Sequence, residues 1–215
     1  MFQRILSIGC IGAILLLGMG ACVLSDALRQ REAPQVYILD LPRIETVTPA
    51  GSGQKPKIAV SVPQAWPGFD SVEIAYTRTT NLIEYYAQSE WVDTPAHMIG
   101  PLLVRAMEDS GYFSAVVVPG GSVSTDLRLD TEIVKMQQEF GAASPSIGRV
   151  VLRAQLIDLR TVEILATRTF QATAPAVTDN PPSAVAAMNQ ALSMVFSQIL
   201  DYCAEFVAST TGKKN

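Results

Sequence analysis

Few side chains in this sequence have types and spacings that could do chemistry. The one histidine, His97, has no second His or Cys at metal-ligand spacing, so no metal site is expected. Asp130 and Glu132 would project from one face of a strand, roughly 7 Å apart, and so imitate a paired-carboxylate hydrolase. Such enzymes also need a cleft and groups that distort the substrate; solvated strand charge is the better account. No G-x-S-x-G elbow, no Walker glycine loop with Lys-Ser/Thr and no G-x-G-x-x-G after a strand is present. No catalytic residue is assigned, and the chain is expected not to be an enzyme. Among the cysteines, Cys203 falls on the apolar side of a predicted helix and reads as a small buried hydrophobe. Cys22 differs, because Gly20 and Ala21 lie directly before it. Small side chains let an extended backbone enter a peptidase cleft, and the thiol behind them is free to take a diacylglycerol.

The element that must position Cys22 is the uncharged stretch Ile5 to Ser25, which follows the amino terminus and Arg4. This is the layout of a secretory signal. Its length also suits a transmembrane anchor, since roughly 18 apolar residues can span a bilayer. The run Leu16-Leu17-Gly18-Met19-Gly20-Ala21-Cys22 resembles a lipobox, with Met19 where Leu is usual. Cys10 is a poorer candidate, as only about five apolar residues precede it, too few for the signal core. Residues 1–21 are therefore expected to be a lipoprotein signal peptide, with a diacylglycerol and an N-acyl (palmitate-type) group on Cys22 and no other cofactor. Several acyl chains, each contributing about 0.8 kcal/mol per buried CH2, tether a protein firmly. Val23 and Leu24 follow Cys22 with no Asp beside it. By resemblance to Gram-negative sorting, this favours the periplasmic face of the outer membrane over the inner membrane.

Acylation of Cys22 leaves Cys203 without a disulfide partner. Without the first 21 residues the chain has 15 basic and 20 acidic side chains. Lys and Arg are scattered apart from Lys213-Lys214, so nucleic acid is excluded as a partner.

Beyond a polar tether at 22–34, the periodicity predicts a single domain over 35–209 and a polar tail at 210–215. Strands are expected at Gln35 to Leu39 and Lys57 to Val62, then as a hairpin at Ser71 to Thr77 and Asn81 to Ala87 about Arg78, Thr79 and Thr80. Thr94 can cap a helix with Pro95 in its first turn. Met98, Ile99, Leu102, Leu103, Ala106 and Met107 continue that helix until Gly111 stops it. Phe113 to Val118 reads as a buried strand. Three longer strands follow, one carrying Leu127, Leu129, Thr131 and Ile133 on one face, one carrying Val150, Leu152, Ala154 and Leu156, and a third over Val162 to Thr173. After Pro181-Pro182, Val185, Met188, Leu192, Val195, Ile199, Cys203 and Phe206 stripe a final helix. The expected class is α+β: a mostly antiparallel sheet, wet on one face, with two long amphipathic helices packed on the other.

Aromatics at predicted loops remain. Trp66, Phe69 and Trp91 are candidates for contact with a partner or lipid, with core packing as the rival account. They belong to a longer pattern: Val62-Pro63, Pro67-Gly68-Phe69-Asp70, Ala75-Tyr76, Tyr85-Tyr86-Ala87, Trp91-Val92-Asp93-Thr94-Pro95, Met98 to Met107 and Ser110-Gly111-Tyr112-Phe113. In these the chain resembles the ABC-type transport auxiliary lipoproteins, relatives of the PqiC-type lipoproteins, from about Tyr37 to Phe206. The resemblance implies a non-catalytic, lipid-tethered subunit. Its partners would be an Mce-domain (MlaD-like) membrane protein, a MlaE-like permease and an ATPase that move lipids or other hydrophobic molecules across the envelope. It leaves room for a self-associated ring. An independent periplasmic lipid carrier is the competing reading.

Overall fold

The computed structural model describes residues 33–43, 55–120, 123–141 and 145–212. Cys22, the signal segment, most of the tether and Lys213-Lys214 lie outside them. The elements in chain order are β1 (Gln35–Tyr37), β2 (Lys57–Val60), β3 (Gln64–Ala65), β4 (Glu73–Thr77), β5 (Glu84–Trp91), α1 (Pro95–Ser110), β6 (Ala115–Val117), β7 (Leu127–Glu139), β8 (Ile147–Asp158), β9 (Glu163–Pro175) and α2 (Pro181–Gly212).

β7 is the spine of the sheet. One edge pairs antiparallel with β8 along its length, and β8 pairs in the same way with β9. The other edge is shared end to end by three short parallel strands: β2 at Leu127 to Leu129, β3 at Glu132 and Ile133, and β4 at Gln138 and Glu139. β6 adds to β2, β5 to β4 and β1 to β5. The long ladders are thus antiparallel, as the alternating pattern predicts. The pairings of β2, β3 and β4 with β7 span only two or three residues each, too few for the sequence to declare their parallel direction.

The alternation in β7 puts Leu127, Leu129, Thr131 and Ile133 inward. A bulge after Ile133 re-phases the strand so that Met136 and Gln138 are also buried. Both helices cover this inner face. α1 packs against β2, β3 and β6, α2 against β7, β8 and β9, and the helices touch each other. α1 begins at Thr94 with Pro95 in its first turn and ends at Gly111, which takes the left-handed conformation at φ 67°. Thr94 makes no side-chain cap bond. Its own N–H donates to Asp93 Oδ1 (2.7 Å) instead, and Asp93 Oδ1 also lies 3.1 Å from His97 Nδ1. The Thr94 amide and then His97 hold the Asp93 carboxyl below the usual carboxylate range. Pro101 sits inside α1, where it has no N–H for the His97 carbonyl; both residues are on an exposed face of the helix.

Asn180 Oδ1 accepts the Ser183 N–H (3.0 Å) at the start of α2. The expected stripe is buried from Val185 to Cys203. The helix runs on to Gly212, three residues into the stretch expected as a tail. A narrow seam between α2 and the sheet is set by Gly148 in β8, where a Cβ would stand 2.7 Å from the backbone of Ala187 and Met188.

Candidate functional site

The Trp66-Pro67-Gly68-Phe69 segment folds as a tight turn. The Phe69 N–H donates to the Trp66 carbonyl (3.0 Å), with Pro67 second and Gly68 third at φ 93°. This is type II geometry, which needs the positive φ that glycine supplies without strain. The turn is fixed from both sides: the Trp66 N–H donates to Ile133 O of β7 (2.9 Å), and Tyr85 Oη of β5 donates to Gly68 O (3.1 Å). A side chain at Gly68 would meet Ile83 Cδ1 at 3.3 Å, so the glycine also lets the β4–β5 connection close on the turn.

That connection differs from the expected hairpin. Asn81 adopts φ 66°, the Leu82 N–H donates to Thr79 O (3.2 Å), and the Thr77 hydroxyl lies within donating distance of both Thr79 O (2.8 Å) and Leu82 O (2.7 Å). Leu82 and Ile83, expected inside the second strand, are held in the turn at 53% and 37% exposure. β5 starts only at Glu84.

Between this turn, the Pro67-Phe69 segment and the outer face of β7 and β8 lies an open groove of about 690 Å3. Pro67, Phe69, Leu82, Ile83, Phe140 and Ile147 give it an apolar lining, and Arg78, Lys135 and Glu139 supply the charge. Arg78 sits over the rings of Tyr76 (4.8 Å to the centroid) and Phe140 (5.2 Å), and its Nη1 lies 3.6 Å from Glu84 Oε1. Tyr76 in turn packs tilted against Tyr86 at 4.7 Å.

Behind the groove a polar chain crosses the fold. Tyr86 Oη donates to Gln138 Oε1, Gln138 Nε2 to Ser146 Oγ (2.6 Å) and Ser146 Oγ to Asp179 Oδ1 (2.6 Å). It ties β5, β7, the start of β8 and the approach to α2. Burial, reinforced by Tyr76 and Asp179 against the opposing Arg78, pushes the Tyr86 hydroxyl up to about 12, so it stays a donor. Gln138 and Ser146 are buried, and leaving such groups unpaired would be unfavourable. The chain therefore stiffens the groove wall.

The singled-out residues are not gathered in one place. Phe69 lines the groove. Trp66 is 49% exposed next to it in sequence, at the head of the turn. Trp91 is 2% exposed and belongs to the core, so its rival account holds; its β5 register turns the indole inward beside Ser89, with Glu90 facing out. The groove's cations, and Leu82 and Ile83 beside them, were not picked out by the sequence reading. Asn81 ahead of two apolar residues was the available signal.

The carboxylates that imitated a catalytic pair are held in polar contacts. Asp130 pairs with Arg128 (3.0 Å) and accepts from Ser61 Oγ (2.5 Å), while Glu132 pairs with Arg153 across the β7–β8 ladder (3.0 Å). Cys203 is buried in α2, and burial pushes its thiol up to about 12, which leaves it uncharged and a poor nucleophile. Among the described residues no cluster of three or more His, Cys, Asp or Glu could hold a metal ion.

The sequence matches the family model described as the ABC-type transport auxiliary lipoprotein component over residues 37–200. In three dimensions it is similar to a Xanthomonas campestris protein from a domain family of unknown function. That match has a TM-score of 0.73 at 22% identity and covers 84% of this chain and 99% of that one. A second solved structure, of an uncharacterized protein, matches with a TM-score of 0.60 at 12% identity, over 82% of this chain and 99% of the other. At such identities the likeness speaks for the fold alone. No curated protein matches the sequence.

Proposed function

The chain belongs to the ABC-type transport auxiliary lipoprotein component family, and we propose that it is the lipid-tethered, non-catalytic subunit of an Mce-type transporter that moves lipids or other hydrophobic molecules across the bacterial envelope. The observation that carries this reading is the extent of the family match. Residues 37–200 take in every strand from the end of β1 onward, all of α1 and most of α2, so the match spans nearly the whole described fold. The polar groups support it. The carboxylates on the outer face of the sheet are held in ion pairs, the thiol of Cys203 is buried, and the open groove beside the β4–β5 turn is amphipathic, which suits binding rather than turnover.

In this reading residues 1–21 are removed as a signal peptide, Cys22 carries the acyl chains, and 22–34 is the tether that lets the domain stand off the periplasmic face of the outer membrane. The domain docks on an Mce-domain (MlaD-like) protein served by a MlaE-like permease and an ATPase. It supplies a contact on the transport route and does no pumping itself.

The test is recovery of partners from cross-linked envelopes, with the native chain and with Cys22→Ala compared by mass spectrometry. An Mce-domain protein that is recovered in a Cys22-dependent way is the expected result. Recovery of no transporter component with either chain would overturn the proposal and leave the independent lipid carrier.

A further inference from the structure

We infer that the groove between the β4–β5 turn and the outer face of β7 is a binding site for an anionic amphiphile, with the anion on Arg78 and Lys135 and the hydrocarbon against Phe69, Leu82, Ile83 and Ile147. The inference does not depend on which transporter partner the domain serves.

The charges of the groove point to an anion. Glu139 is the one carboxylate among its described lining residues, and it already accepts from Arg149 Nε (2.8 Å) and Gln137 Nε2 (3.1 Å). Lys135 Nζ is a more distant partner at 3.6 Å. Arg78 makes its hydrogen bond to Tyr76 Oη and its ion pair to Glu84 through Nη1, so Nε and Nη2 have no acceptor among the described residues. A guanidinium offers five donors in a rigid fork matched to carboxylate or phosphate, and the cation–π contacts with Tyr76 and Phe140 hold it at the groove. Within an acidic chain this is a locally basic concavity.

The apolar wall points to hydrocarbon. Leu82 and Ile83 are not needed in the core, yet backbone bonds and the Thr77 hydroxyl hold them facing the groove. Large exposed apolar groups gathered in one concavity mark a binding surface. A free inorganic anion would leave this wall in water, and a neutral hydrocarbon would cover the free donors of Arg78 without giving them an acceptor. A molecule with both parts satisfies both sets of groups. The volume of about 690 Å3 lies within the roughly 300–1,000 Å3 typical of small-molecule sites.

The anion can be the phosphate of a phospholipid or the carboxylate of a fatty acid. To test the site, the full chain is expressed in cells with Leu82 replaced by photoreactive p-benzoyl-phenylalanine. Ile83 serves as a second probe position and Val162, on the remote β8–β9 turn, as the control. Cells grown in radioactive phosphate are irradiated and the purified chain is examined for label. A thioether-linked diacylglycerol contains no phosphate, so the anchor gives no background.

Light-dependent label at Leu82 or Ile83 but not at Val162, lowered about tenfold or more in the Arg78→Glu, Lys135→Glu double variant, is expected for a phospholipid. A fatty-acid mass on the peptide carrying the probe, without label, supports the site with the carboxylate source. Label equal at all three positions, no adduct, or an adduct to another protein alone would overturn it, the last by making the groove a protein-docking face. Failure here alongside recovery of an Mce-domain partner would remove the site and leave the proposed function standing.

Discussion

Replacing Gly148 by Ala tests the packing that holds α2 on the sheet. A glycine in a strand normally disfavours folding by about 0.5–1 kcal/mol relative to Ala, so with open space the change should stabilise. Gly148 has no such space. Its Cβ would lie 2.7 Å from Ala187 C and Met188 N and 2.8 Å from Ala187 Cβ, where ordinary contacts begin near 3.4 Å. The obstacle is helix backbone, so no rotamer relieves it and α2 must retreat by about 0.7 Å. That retreat loosens Ala184, Met188, Ala191 and Leu192, all fully buried. Overpacking of this kind is unfavourable by about 1–3 kcal/mol, and a rigid backbone obstacle puts Gly148→Ala near the upper end. For a domain of this size about 3 kcal/mol lowers Tm by roughly 6–12 °C. Thermal unfolding followed by far-ultraviolet circular dichroism measures it. Adding Ala187→Gly should restore little, because two of the three close contacts are to backbone. A single variant that melts at or above the native temperature would refute the packing argument.

Val162 adopts φ 59° at the β8–β9 turn while 81% exposed, a backbone state unfavourable by about 1–2 kcal/mol for a β-branched residue. Val162→Asn should raise stability by about 0.5–1 kcal/mol, seen as a higher urea midpoint. In the same turn the Arg160 guanidinium holds the Asp158 carboxyl below the carboxylate range. A depressed folded value means stability that is present above the unfolded value of about 3.9 and lost as pH falls through the folded one. Asp158→Asn should therefore lower the urea midpoint near neutral pH, and the difference from the native chain should shrink towards about pH 3. Cys203 should not react with a thiol reagent in the folded chain and should react fully once urea unfolds it; rapid labelling of the native chain would contradict its burial.

The sequence alone determined whatever is written in local period or local stereochemistry. α1 is legible because Pro95 and Gly111 suit only the two ends of a helix and an apolar stripe runs between them. β7 and β8 show in the alternation of Leu127, Leu129 and Ile133 and of Val150, Leu152 and Leu156, long enough to register and wet on one side. The absence of catalytic motifs is likewise local, and the Trp-Pro-Gly-Phe turn announces itself through proline followed by glycine.

Tertiary structure decided the rest. The two-residue β3 cannot show a period, and its pairing to β7 exists only because that spine presents a free edge. Trp66 and Trp91 look alike in sequence, but the β5 register turns Trp91 into the core while the β3 turn leaves Trp66 half exposed. Arg78, Lys135 and Ile147 come from β7, β8 and a turn far away in the chain, so no spacing rule could bring them together. They meet because Asn81 and Thr77 pull Leu82 and Ile83 off the ladder and the β7 bulge re-phases the strand beneath. A binding groove is a property of surfaces brought together across the sheet, and its chemistry became legible only when the sheet's register was known.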